Sequence, residues 1–218
     1  MTGRLFWPAP DAIAAVTDFL LMPAMTFDPL YAFVFIGLFS PGPNVILLTA
    51  SGARFGIRRT IPHVAGVVLG VGIVAAMTGF GIGALVVAVP AVAVGLQFAA
   101  CTWILWMAWT LFNAARGPEA RSRDRPLTLP EAVLFQWVNP KLWAVALAAS
   151  TGYGAGLAPM DEALRLGAAF SAINVFVCLF WSAAGSLLAH LLSSPAAWTV
   201  FMRIMAGALA LTAGMVFL

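Results

Sequence analysis

The chain has 218 residues, of which 62% are hydrophobic and 9% charged, with a formal net charge of +3. An average soluble domain carries roughly 25% charged residues, so a water-soluble enzyme or nucleic-acid binder has no matching composition here. The mean hydropathy of +0.99 points to an integral membrane protein.

In chain order, residues 1–29 come first, an N-terminal extension that is apolar over 5–25 but carries Pro8, Pro10, Asp11 and Asp18. Those residues argue against a cleavable signal or a full span. Two readings stand, a short amphipathic helix starting near Asp11 on the outer surface and a start codon placed too early in the gene. A helical span needs about 20 apolar residues, and six charge-poor runs follow, at 30–53, 63–89, 91–115, 130–153, 166–192 and 198–218. The first is interrupted by Ser40-Pro41-Gly42-Pro43-Asn44 and followed by Arg54, Arg58 and Arg59. Gly66, Gly70, Gly79 and Gly83 give the second the small-x-x-x-small spacing of close helix packing. The third holds Trp103, Trp106 and Trp109, which form either an aromatic wall or a lipid-facing stripe. A basic loop, 116–129, carries Arg116, Arg121, Arg123 and Arg125 before a fourth run interrupted by Asn139-Pro140-Lys141. In the fifth, Asn174 is a buried amide that serves either a pocket or a neighbouring backbone. Arg203 lies near the start of the sixth.

An up-and-down order puts the residues after the first and third spans on one face. Eight basic residues then fall on that face and two, Arg4 and Arg165, on the other, with Lys141 left aside. By the positive-inside rule the basic face is cytoplasmic and both termini are outside. The expected fold is therefore an all-α integral membrane protein with six transmembrane helices. They form two inverted three-helix repeats, 30–115 and 130–218, joined by the cytoplasmic loop 116–129. Cys101 and Cys178 fall inside spans, and no disulfide is expected.

The proline breaks occupy corresponding places in the two halves, each roughly 15 Å into its span at 1.5 Å per residue. Interrupted helices at matching positions of inverted halves point to a secondary transporter's substrate site near the midplane. The alternative is that they are kinked packing helices. Where the helix resumes at Asn44, free N–H groups and the positive dipole end favour a carboxylate. The carbonyls released before the break can accept from an ammonium group, so the pairing suits a zwitterion. Asn44 and Asn139 add amides able to orient it. Lys141 is the one charged residue placed near the centre of a span, an expensive position that marks a functional site. It can pair with a substrate carboxylate or exchange the coupling proton; the competing reading is a lysine that snorkels or binds carbonyls freed by Pro140.

The run Leu38-Phe39-Ser40-Pro41-Gly42-Pro43-Asn44, the basic segment 54–59, the glycine-rich second span and the later Asn139-Pro140-Lys141 together resemble the LysE/RhtB family of amino-acid exporters. The similarity covers residues 30–218. It implies a multi-pass protein of the bacterial inner membrane that exports an amino acid or similar small zwitterionic metabolite, generally in exchange for protons. The breaks, the polar residues near them and this resemblance together give a candidate site of Pro41, Gly42, Pro43, Asn44, Gln136, Asn139, Pro140, Lys141 and Asn174, with Lys141 as proton-coupling candidate. Gln97, Ala100, Trp103 and Ala132 replace a lysine, a glycine, a tyrosine and a glycine usual in the family, and Gln136 stands where asparagine is frequent. These departures bear on the substrate more than on the fold.

The expected partners are that solute, membrane lipid and, as an option, a second copy of the chain in a homodimer; no nucleic acid and no cofactor are expected. His63 and His190 have no histidine or carboxylate three or four residues on, so no metal site is expected. Ser150, Ser171, Ser182 and Ser186 sit in no recognisable nucleophile motif, which argues against an enzyme. A channel or a non-transporting assembly protein stays open as the alternative.

Overall fold

A computed structural model describes residues 28–83, 88–114, 125–191 and 194–214, with the side chains of 92, 93, 114, 190 and 191 undescribed. The amphipathic helix expected near Asp11, the loop arginines Arg116, Arg121 and Arg123, and the side chain of His190 lie outside the described residues. Among those described, every regular element is helical: α1 Pro29–Phe39, α2 Pro43–Gly79, α3 Pro90–Ala114, α4 Leu129–Trp137, α5 Pro140–Gly152, α6 Pro159–Leu191 and α7 Pro195–Gly214. By length and composition four helical segments can cross a membrane, Pro43–Gly79, Val94–Asn113, Pro159–Ala189 and Pro195–Gly214.

α2 is not straight. Gly56 leaves the helical region, with φ 75 and ψ 163, a backbone state that favours glycine. Ser51 and His63 would lie about 18 Å apart along an unbroken helix, yet Ser51 Oγ and His63 Nδ1 are 3.1 Å apart. The chain therefore folds back at Gly56 into two arms, 43–55 and 57–79. The basic segment 54–59 between the first two runs is therefore no extended loop: one glycine makes the reversal and the helix continues through Arg58 and Arg59. The second arm also ends at Gly79, about ten residues short of the expected 89, where Gly81 turns with φ 97. α6 starts at Pro159, ahead of the expected 166, with Asp161 and Glu162 in its first turn, where carboxylates suit the helix dipole.

Glycines set the packing. Gly72 lies against Gly167 and Ser171, and Gly79 against Ala163, which seats the second arm of α2 on the first half of α6. Further along α6, a Cβ at Gly52 would collide with the Ser182 carbonyl and one at Gly185 with the Thr49 carbonyl, so the first arm crosses α6 backbone to backbone. Gly66 packs on Leu129 and Ala132 of α4, and Gly37 of α1 on Val145 of α5. The interior is filled by Leu30, Val34, Leu48, Val67, Ile104, Phe135, Phe170, Met202 and Leu209. Ile36, Trp109, Phe176, Leu187 and Leu211 are exposed, as a lipid-facing surface requires.

The two ends differ in charge. At one, Arg165 pairs with Asp28 at 3.0 Å and with Glu162 at 2.8 Å and donates to the Tyr153 carbonyl, tying α1 to α6. At the other, Arg54 and Arg125 line one cavity, which brings the basic segments after the first and third runs to a common end.

Candidate functional site

The first and fourth expected spans are both broken where the prolines stand. Pro41 pushes the residue before it out of the helical region, and Ser40 is extended at φ −61, ψ 146. Pro43 then opens α2 as its first helical residue, one position before the expected Asn44. At the second break Asn139 has φ −84 and ψ 100, and Pro140 opens α5.

Side chains join the breaks. Lys141 donates from Nζ to the carbonyl oxygen of Ser40, and to that of Pro41 at 3.3 Å. Asn44 and Gln136 form a reciprocal amide pair, Nδ2 to Oε1 at 2.7 Å and Nε2 to Oδ1 at 3.1 Å. Gln136 also donates to the Ala132 carbonyl at 3.0 Å and accepts from Asn139 Nδ2 at 3.4 Å. The Trp137 carbonyl freed at the second break is taken by Trp143 Nε1 at 2.8 Å. At the first break the Gly37 carbonyl is taken by Ser40 Oγ at 3.0 Å, and the carbonyls of Ser40 and Pro41 are held by Lys141.

Capping separates these helix starts from those of α1 and α4. The Asp28 side chain accepts from Leu30 N–H at the start of α1, and Thr128 and Glu131 form a reciprocal capping box at the start of α4. At Gly42 and Asn139 no side chain caps the helix that follows. Both interior starts thus present uncapped N-terminal turns with a positive dipole end. Asn139 is 2% exposed, and its Oδ1 has no hydrogen-bond partner.

Gly37, Gly42, Pro43, Asn44, Asn139, Lys141 and Val145 line a cavity of about 20 Å³. Pro41, Gly42, Pro43, Pro140, Lys141 and Thr212 line a wider cleft of about 280 Å³. Gly42, Pro43 and Lys141 are walls of both. Of the residues singled out in the sequence, eight gather here, with Gln136 one contact behind the cavities through Asn44. Asn174 does not join them: it is buried on α6, lines neither cavity, and its Nδ2 has no partner. Gln97 lines neither cavity, Trp103 packs on Phe135, and Trp106 and Trp109 are exposed.

Gly70 and Thr212 were missed. A Cβ at Gly70 would sit 2.6 Å from Gln136 Cγ, so this glycine makes the space from which Gln136 reaches Asn44. The small-residue spacing marked Gly70 for packing but not its neighbour. Thr212 is a lone hydroxyl in an apolar run, a signal too common in membrane helices to single out.

Residues 35–218 match the family described as LysE type translocator. The chain is 27% identical over 170 residues to the cysteine/O-acetylserine efflux protein of Salmonella typhimurium strain LT2, covering 78% of this chain and 85% of that one. It is 26% identical over 182 residues to the protein of the same name from Escherichia coli O1:K1, covering 84% of each. No solved structure matches.

Proposed function

Because the chain belongs to the LysE type translocator family, we propose that it exports an amino acid or similar small zwitterionic metabolite across the bacterial inner membrane by proton-coupled alternating access. The protein is a multi-pass membrane transporter and not an enzyme. In the proposed arrangement, α1 with the first arm of α2 makes one broken span, and α4 with α5 makes its counterpart in an inverted second half. The second arm of α2, α3, α6 and α7 supply the other four spans.

The observation that carries the reading is the contact of Lys141 with the Ser40 and Pro41 carbonyls, between two uncapped helix starts. The inner cavity of about 20 Å³ holds one or two waters, so a solute that passes from the wider cleft of about 280 Å³ into the gap between the breaks displaces Lys141, a wall of both. A zwitterion can do so without leaving a charge unpaired. Its carboxylate takes the Lys141 ammonium and the N–H groups at the start of α2, while its ammonium takes the two carbonyls that Lys141 leaves. Lys141 is also the proposed proton carrier, since a lysine moving between carbonyls and a carboxylate changes its preference for the charged form. The relatives named as cysteine/O-acetylserine efflux proteins support a solute of that size and charge.

The test compares the amino acids inside and outside cells that lack the gene with those of cells that overproduce the protein. One solute should accumulate inside the first strain and outside the second. Identical profiles across amino acids and their small derivatives would overturn the reading.

A further inference from the structure

At the basic end of the bundle, opposite the Asp28–Arg165 pair, a second cavity of about 50 Å³ opens between the two arms of α2, α3 and the segment leading into α4. Arg54, Arg125, Ser51 and His63 supply its polar wall, and Phe55 and Trp106 stand among its apolar lining. The Arg54 and Arg59 guanidinium groups lie 4.9 and 5.7 Å from the Phe55 ring centroid. Next to the lining residue Leu111, the Phe112 ring carries Arg203 of α7 at 5.7 Å. Arg54 and Arg125 thus line one apolar-floored pocket, with Arg59 on the Phe55 ring beside it, and the proposed export site uses none of them.

We infer that this cavity binds the phosphate of an anionic lipid headgroup, with the acyl chains running along α3. Three features select that ligand. The lining residue Trp106 is 46% exposed, so the cavity reaches the side of the bundle, and tryptophan is a side chain that favours the membrane interface. Its floor of Leu47, Ala50 and Met107 suits hydrocarbon. A zwitterionic solute fits poorly, because its ammonium would meet the Arg54 guanidinium, and the nearby Glu131 carboxylate is already held by Arg125 at 2.8 Å and the Thr128 N–H. Basic pockets between membrane helices are a recurrent site for anionic headgroups.

The experiment uses the full-length protein in neutral detergent, with dioleoyl phosphatidylglycerol and dioleoyl phosphatidylcholine offered in competition and retention read by native mass spectrometry. The wild type should retain phosphatidylglycerol preferentially. Arg54→Gln should reduce that preference about fivefold, the value of one basic contact near an anionic surface. Arg165→Gln, at the far end, should leave it unchanged. Because Arg54→Gln could fail to fold, wild-type thermal midpoints with each lipid and with glycerol 3-phosphate provide a second measurement. Stabilisation by phosphatidylglycerol alone supports the site. Equal retention of the two lipids, an unaltered preference in Arg54→Gln, or equal stabilisation by glycerol 3-phosphate would overturn it. None of these readouts requires transport.

Discussion

Lys141 stands at the second helix break, and in the proposed arrangement this puts a cation within a membrane span, a placement that costs about 2.5–3.5 kcal/mol on insertion scales; it rests on the Ser40 and Pro41 carbonyls, which the first break leaves without helical donors. Lys141→Ala should therefore reduce export to background while the protein remains inserted, as measured by efflux alongside membrane abundance. Gly42 faces the same side chain: a Cβ there would lie 2.7 Å from Lys141 Cδ. Its backbone is extended, which any residue adopts, so Gly42→Ala tests space alone. It should weaken export at unchanged abundance by displacing Lys141. Asn44 and Gln136 form a pair whose single replacement by leucine takes both reciprocal hydrogen bonds from the amide that remains, at a cost of about 1–3 kcal/mol. Thermal melts of Asn44→Leu, Gln136→Leu and the double variant should show the double losing less than the two singles summed. Asn44 and Lys141 were legible in the sequence, since an amide at a proline break and a charge in an apolar run are conspicuous. Gly70, which makes room for Gln136, was not, because a glycine's neighbour in space cannot be read from its neighbours in sequence.

At the level of elements, both breaks were readable because proline acts locally: it lacks an N–H and constrains the residue before it. The hairpin at Gly56 was hidden for the opposite reason. Arg54, Arg58 and Arg59 read as a basic segment that ends the first span, and nothing in it showed that one glycine with φ 75 makes the whole turn and leaves the arginines on helix. The crossing of α2 and α6 rests on Gly52 and Gly185, where each Cβ would meet the other helix's backbone. Gly52→Ala or Gly185→Ala should cost about 1–3 kcal/mol through overpacking. Gly207→Ala, which nothing approaches within 4 Å, should be neutral or slightly stabilising; detergent melts of the three would measure the contrast. At the far end, the Leu30 N–H and the Arg165 guanidinium hold the Asp28 carboxyl below its ordinary 3.8. A lowered carboxylate pKa contributes stability above that value and loses it as pH falls through the lowered one. Acidification below about 4 should loosen α1 in the wild type and change little in Asp28→Asn, as read by hydrogen exchange of the α1 amides.

For the molecule as a whole, composition alone identified a membrane protein, and the charge pattern anticipated which segments share an end. Arg54 and Arg125 line one cavity, while Asp28, Glu162 and Arg165 meet at the other end. Asn174 shows where sequence reasoning ran out: a polar residue in an apolar span looks the same whether it faces a pocket or packed neighbours. The transport reading rests on the meeting of two helix breaks around Lys141. The most direct test is counterflow in proteoliposomes loaded with unlabelled amino acid and diluted into the labelled form, comparing wild type with Lys141→Ala at equal reconstitution. Transient accumulation of label by the wild type and none by the variant is the predicted result; equal accumulation by both would contradict a solute site at the breaks.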